Sequence, residues 1–286
     1  MARSIFRRCL LAALTILAGG FISATLVRYA PGFGIDEQQF DPRLSSESRA
    51  ALRNETAEER GILVYYAGFW LRAWHGDLGT SRSLNRPVRE LLAKRAGVTC
   101  RLGVKAMLSA WAAAVLLVCA SWLARTPLFS LAATVLSGAL ICLPAGGLAL
   151  LSILANAPAW LALSLILLPR IHRYLNNLAA ATNNMPHILT AKAKGVADRR
   201  ILLWHVLPVV RREVFALAGV SIGLVISAAI PVEALCGISG IGQLAWQSAL
   251  ARDLPLLINL SVLVIASVTL ANFGADLLAE ARESKS

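Results

Sequence analysis

The run Val214–Leu235, VFALAGVSIGLVISAAIPVEAL, carries a single charged residue, Glu233, and decides what kind of molecule this is. Crossing the roughly 30 Å hydrocarbon core of a bilayer takes about 20 apolar residues in a helix, because no water is there to satisfy a bare backbone. Five further runs share this character: Cys9–Val27, Ala106–Ala124, Leu128–Ile153, Ala157–Leu178 and Pro255–Leu278. The sequence therefore predicts an all-α, polytopic membrane protein with about six transmembrane helices. Only Leu154-Ala155-Asn156 separates the third run from the fourth. Composition agrees: 57% of the 286 residues are hydrophobic and 15% are charged, where soluble domains carry about 25% charged residues. The first run follows Arg3, Arg7 and Arg8, as a cleavable leader would. Its length and its poor exit, Ser23-Ala24-Thr25, favour a retained span.

The formal net charge is +12. In a soluble chain this would raise nucleic acid as a partner. Here the basic residues flank spans, so the bilayer is the expected partner and nucleic acid is not. Arg3, Arg7 and Arg8, then Arg125, then the group from Arg170 to Arg212 all fall on one side if every run crosses. Short cytoplasmic loops collect such residues. Both termini are therefore expected in the cytoplasm. This divides the chain into residues 1–28 (N-terminus and first span), an extracytoplasmic segment at 29–101, and a core of five spans at 102–286. The core includes a cytoplasmic loop at 180–213. Five cysteines and four histidines are scattered without metal-site spacing, so neither a disulfide nor a metal is expected.

Within the outer segment, Pro31-Gly32 ends the first span and residues 36–60 are polar. Tyr65, Tyr66, Phe69, Trp70 and Trp74 follow. Two readings fit these rings: a stretch lying at the outer headgroups, or the core of a small cap. A short helix should begin near Pro87, with Val88, Leu91 and Leu92 on one face, as a ramp into the second span. Residues 180–213 are too polar for lipid and read as a helical hairpin. Asn184 is placed to cap a helix opening at Met185-Pro186, which runs through Ile188, Leu189, Ala191 and Ala193 to Gly195 at a left-handed C′ position. A second helix starts near Asp198 and yields at Pro208. A compact knob with apolar and basic residues on its surface suits docking.

Residues 190–208, TAKAKGVADRRILLWHVLP, resemble the EAA loop of ABC importer permeases. Leu207-Pro208 stand twelve and thirteen positions after Gly195, as that pattern requires. Thr190-Ala191-Lys192-Ala193-Lys194-Gly195 is similar to the dipeptide/oligopeptide/nickel branch, and the opening resembles the branch's first permease: Arg7-Arg8, an apolar run, then Val27-Arg28-Tyr29-Ala30-Pro31-Gly32. Gly76-Asp77-Leu78-Gly79, Arg86-Pro87-Val88, Val232-Glu233, Gly240-Ile241-Gly242 and Ala251-Arg252-Asp253-Leu254-Pro255 follow in the family's order. The resemblance implies the type I importer permease fold in a bacterial inner membrane. It also implies a second homologous permease, two ABC ATPase subunits and an extracytoplasmic substrate-binding protein. No cofactor would be bound by this chain; ATP and Mg would sit on the ATPase subunits. Coupling would fall to Thr190, Ala191, Lys192, Ala193, Lys194, Gly195, Asp198, Arg199, Arg200, Leu207 and Pro208. The chain departs from the pattern at three places. The glutamate that opens the loop is missing, Ala197 replaces a frequent capping serine, and Ala96-Gly97 replace a Leu-Pro after the ramp.

Other classes fare worse. No Gly-x-x-x-x-Gly-Lys-Ser/Thr phosphate loop occurs. Gly237-Ile238-Ser239-Gly240 matches an intramembrane serine protease signature, yet no histidine follows His205 to activate the serine. A secondary transporter needs mid-membrane ionisable groups and usually an inverted repeat, and neither is visible. Two roles fit Glu233, with Gly240 and Gly242: part of the pathway or outer gate, or a cap on the Cys236–Gly242 backbone. Gly219-x-x-x-Gly223 permits close helix packing, expected within the chain.

Overall fold

Long apolar runs without interior breakers should form long helices, and they do. The computed structural model describes residues 2–29, 62–124 and 126–283. The expectations for Pro31-Gly32, for residues 36–60 and for Arg125 lie outside the described residues. The elements are α1 (Ala2–Tyr29), α2 (Ile62–Trp74), a short antiparallel pair β1 (Thr80–Ser81) and β2 (Arg86–Pro87), and α3 (Val88–Ala124). Next come α4 (Pro127–Cys142), α5 (Ala145–Leu154), α6 (Ala159–Asn183), α7 (Pro186–Ala193) and α8 (Asp198–Ile201). A π turn at Leu202–Val206 leads into α9 (Leu207–Leu235), followed by α10 (Ile241–Leu250) and α11 (Leu254–Glu283).

Among the described residues, four helices are long and apolar enough to cross a membrane: Phe6–Leu26, Val88–Leu123, Arg199–Leu235 and Leu254–Ala275. Leu128–Cys142 and Ala145–Leu154 make a fifth if counted as one span, but they are bent by 99°. The count thus differs from six. The run at Leu128–Ile153 is broken by Leu143-Pro144, since proline removes an amide and forces the residue before it out of the helical region. Leu143 is extended, with φ −80° and ψ 126°. The run expected at Ala157–Leu178 is present as α6, but Arg170, His172 and Arg173 cut its apolar length short. The ramp expected before the second span is not a separate helix. Ala96-Gly97 contain no proline, so α3 continues through them for 37 residues.

Two compact units divide the chain. The first comprises residues 1–95 and 244–266. Its core joins Ala24, Tyr66, Phe69, Leu254 and Ile258. All of these rings but Trp74 are therefore packed, with Tyr66 edge-on to Phe21 and Trp70 and its hydroxyl donating to the Leu17 carbonyl at 2.7 Å. Leu63, Val64, Leu71 and Trp74 of the same helix stay exposed.

The second unit comprises residues 96–243 and 267–286, with α6 at its centre. Leu163, Leu167 and Ile171 are fully buried against Ala106, Ala110, Ala114, Leu148 and Val232. Small residues set the spacing here. A Cβ on Gly219 would lie 2.6 Å from the Ala275 methyl, and one on Gly223 3.2 Å from Val268. The Gly219/Gly223 seam accordingly packs α9 on α11 within the chain.

Candidate functional site: a docking knob and two buried carboxylates

The knob is built from α7, α8 and the π turn. Helix α7 opens with Pro186 in its first turn, where a missing amide is harmless. Its N-cap is Met185, without a side-chain bond; Asn184 instead ends α6 and does not cap α7. At the other end, Gly195 has φ +74°. The Val196 amide donates to the Ala191 carbonyl at 3.1 Å and the Gly195 amide to Lys192 at 2.9 Å. This is the paired closure that a left-handed glycine allows. Ile188, Ala191, Ile201, Val206 and Val210 are buried together, so the hairpin has its own small core.

The second helix does not yield at Pro208. The Leu207 amide donates to Leu202, five residues back, and helix resumes at once. The widened turn puts Pro208 in the first turn of α9, where proline fits. The knob is thereby joined without a break to a membrane-length helix.

The structure sorts the expected coupling residues. Ala191 is buried, and the Thr190 hydroxyl is occupied with the Pro186 carbonyl. Lys192 turns back: its ammonium donates to the Asn183 side chain and lies 5.7 Å from the Trp122 ring centre. Ala193, Lys194, Gly195, Arg199 and Arg200 are exposed, as are Leu207 and Pro208. Asp198 opens α8. Trp204, absent from the expected set, is 74% exposed between Leu203 and Leu207. An exposed indole amid basic residues is the signal that could have found it.

Glu233, Gly240 and Gly242 come together. Glu233 is fully buried, and its carboxylate accepts the amides of Gly242 at 2.7 Å and Gln243 at 3.4 Å. The Ile241 amide donates to Thr99 Oγ1 at 2.8 Å. These are the first amides of α10, so a carboxylate and a hydroxyl satisfy a buried helix N-terminus. A Cβ on Gly240 would fall on the Glu233 carboxylate, and one on Gly242 would lie 2.7 Å from the Ile230 Cα. Gly237, with φ +66°, turns the chain out of α9. Thr99 gave no sign in the sequence.

A second carboxylate was quoted in the sequence without a role. Asp253 is 1% exposed and accepts from Ser81 Oγ at 2.6 Å, Ser83 Oγ at 2.8 Å and the Ser83 amide at 3.0 Å. Its other oxygen takes the Leu256 amide at 3.2 Å, capping α11. Asn259 donates to the Leu78 carbonyl at 2.9 Å. The Gly76–Gly79, Arg86–Val88 and Ala251–Pro255 motifs thus form one clamp within the first unit.

Residues 96–285 match the family described as binding-protein-dependent transport system inner membrane component. Over 299 aligned residues the chain is 30% identical to the oligopeptide transport system permease protein OppB of Escherichia coli K12, with 97% of each chain covered. It is 28% identical to the protein of the same name in Salmonella typhimurium, again with 97% of each covered.

Proposed function

Since the chain belongs to the binding-protein-dependent transport system inner membrane components, we infer that it forms half of a pathway for peptides or similar small solutes. Such a component is a permease subunit of an ABC importer and lies in the inner membrane as a multi-pass protein. Peptides are favoured because the two relatives above carry oligopeptide transport in their names.

Transport of this kind switches a membrane pathway between two states, and an energy source must bias one of them. The chain carries no phosphate loop. ATP and Mg are accordingly assigned to two separate ATPase subunits, and the isolated chain should hydrolyse no nucleotide. The pathway's other half comes from a homologous permease, and a binding protein delivers the solute from outside. Both termini and the knob face the cytoplasm.

One observation carries the coupling assignment: Gly195 closes a two-helix knob that has its own buried core and continues into α9 through the π turn. A push on such a knob is passed to a membrane helix and is not absorbed by a loop. Ala193, Lys194, Gly195, Arg199 and Arg200 form the contact face, with Trp204 as its apolar anchor.

The test is Gly195→Val. No atom lies within 4 Å of a Cβ built at Gly195, so the variant adds no clash. It adds only left-handed backbone strain, about 1–2 kcal/mol. That misplaces the knob without unfolding the chain. Membrane abundance should stay near normal while co-purification of the ATPase subunits and uptake both fall. Full association and full uptake would remove the assignment.

A further inference from the structure

Behind the knob, within the second unit, the last turn of α3, the start of α4 and the end of α6 line an open cavity of about 360 Å³. We propose that it binds the phosphate of an anionic phospholipid headgroup, drawn from the membrane leaflet on the knob's side. Among the described residues, Lys192 is its one charged lining residue, and no carboxylate lines it. Ser130, Asn176 and Asn183 add hydroxyl and amide groups able to donate to phosphate oxygens.

Three observations fix the ligand class. First, Lys192 sits on the knob yet directs its ammonium inward, held by the Asn183 side chain and the face of Trp122. The cation thus lines the cavity, held by groups on α3 and α6. Second, the cavity sits at the end of an apolar run. Trp122 falls in the last turn of the run Ala106–Ala124, and α4 resumes apolar sequence just beyond it. A tryptophan at the end of such a run marks the membrane–water boundary. Third, Val118, Ala179 and Ala180 complete the wall with apolar surface. A free phosphate gains nothing from that surface, whereas a headgroup continues into glycerol and acyl chain along it. The volume is within the range of pockets that hold small ligands. A lipid seated there would brace α7 against α3 and α6, so membrane composition would tune how firmly the knob is held.

The experiment uses the purified transporter, this chain with its partner subunits, and native mass spectrometry after exposure to phosphatidylglycerol or phosphatidylcholine. Wild type and Lys192→Arg should retain one phosphatidylglycerol per copy of this chain. Lys192→Gln should retain it about fivefold less well, the factor associated with one basic residue at an anionic surface. Phosphatidylcholine retention should not change among the three. Intact subunit composition in Lys192→Gln, with recovery in Lys192→Arg, separates loss of the lipid from loss of the fold. Equal phosphatidylglycerol retention in Lys192→Gln would overturn the proposal. So would displacement of the lipid by excess inorganic phosphate, which would assign the cavity to a soluble anion. Lysine-dependent retention seen only when the ATPase subunits are stripped away would assign it to a protein partner.

Discussion

At Ala197 the backbone carbonyl accepts the amides of Arg200 and Ile201 at 2.9 and 3.0 Å, and the methyl side chain offers nothing to the amides before them. Serine at an N-cap satisfies one such amide, worth about 1 kcal/mol. Ala197→Ser should therefore slow hydrogen exchange in residues 198–201 by about fivefold and leave exchange in α6 unchanged. Uniform exchange across the two variants would mean that the turn needs no cap. Glu233 is the opposite case, a residue already satisfying its surroundings. Glu233→Ala would leave the Gly242 and Gln243 amides without their acceptor, a loss of about 1–3 kcal/mol. Glu233→Gln keeps an oxygen there and should lose less. Thermal midpoints in detergent should fall in the order wild type, Glu233→Gln, Glu233→Ala. A role only in the pathway predicts reduced uptake with unchanged midpoints.

Among the elements, the clamp around Asp253 shows why neighbouring motifs need not be neighbours in sequence. Asp253 holds Ser81 and Ser83 from 170 or more positions away while capping its own helix. Asp253→Ala removes four accepted hydrogen bonds at once, each worth about 1 kcal/mol or more where the donor becomes buried and unpaired. Residues 79–87 should then lose protection against hydrogen exchange first, ahead of the α6 core. Protection lost evenly across both regions would show that the clamp is not a local device. The pattern also explains what could be read in advance. Helix identity, the Gly195 turn and the close packing at Gly219 and Gly223 follow from local rules of periodicity, left-handed glycines and small residues. The Pro208 continuation did not, because a proline after a helix usually stops it, and only the register slip at Leu202–Val206 lets the helix pass. Thr99 and the two serines of the clamp were silent for another reason. A hydroxyl that caps a distant helix leaves no periodic trace, and Lys192's inward turn depends on Trp122 from another helix.

For the whole molecule, the apolar runs identify a membrane protein before any fold is known, and the family match agrees with that reading across residues 96–285. By length and composition, four helices and one bent pair among the described residues suit a membrane, beside the six apolar runs of the sequence. Helix α6 is enclosed by other helices, so its buried face can be apolar while Arg170 and Arg173 shorten the lipid-compatible stretch. The bend at Leu143-Pro144 has the same lesson, since two short helices can share one apolar run. The central claim, a cytoplasmic knob that docks a separate ATPase, predicts which protein lies against a given side chain. Ala193 is exposed on that face and its replacement leaves the small core intact. With Ala193→benzoylphenylalanine in membranes holding the assembled transporter, illumination should join this chain to an ATPase subunit. Adducts with the extracytoplasmic binding protein, or with lipid alone, would contradict the account.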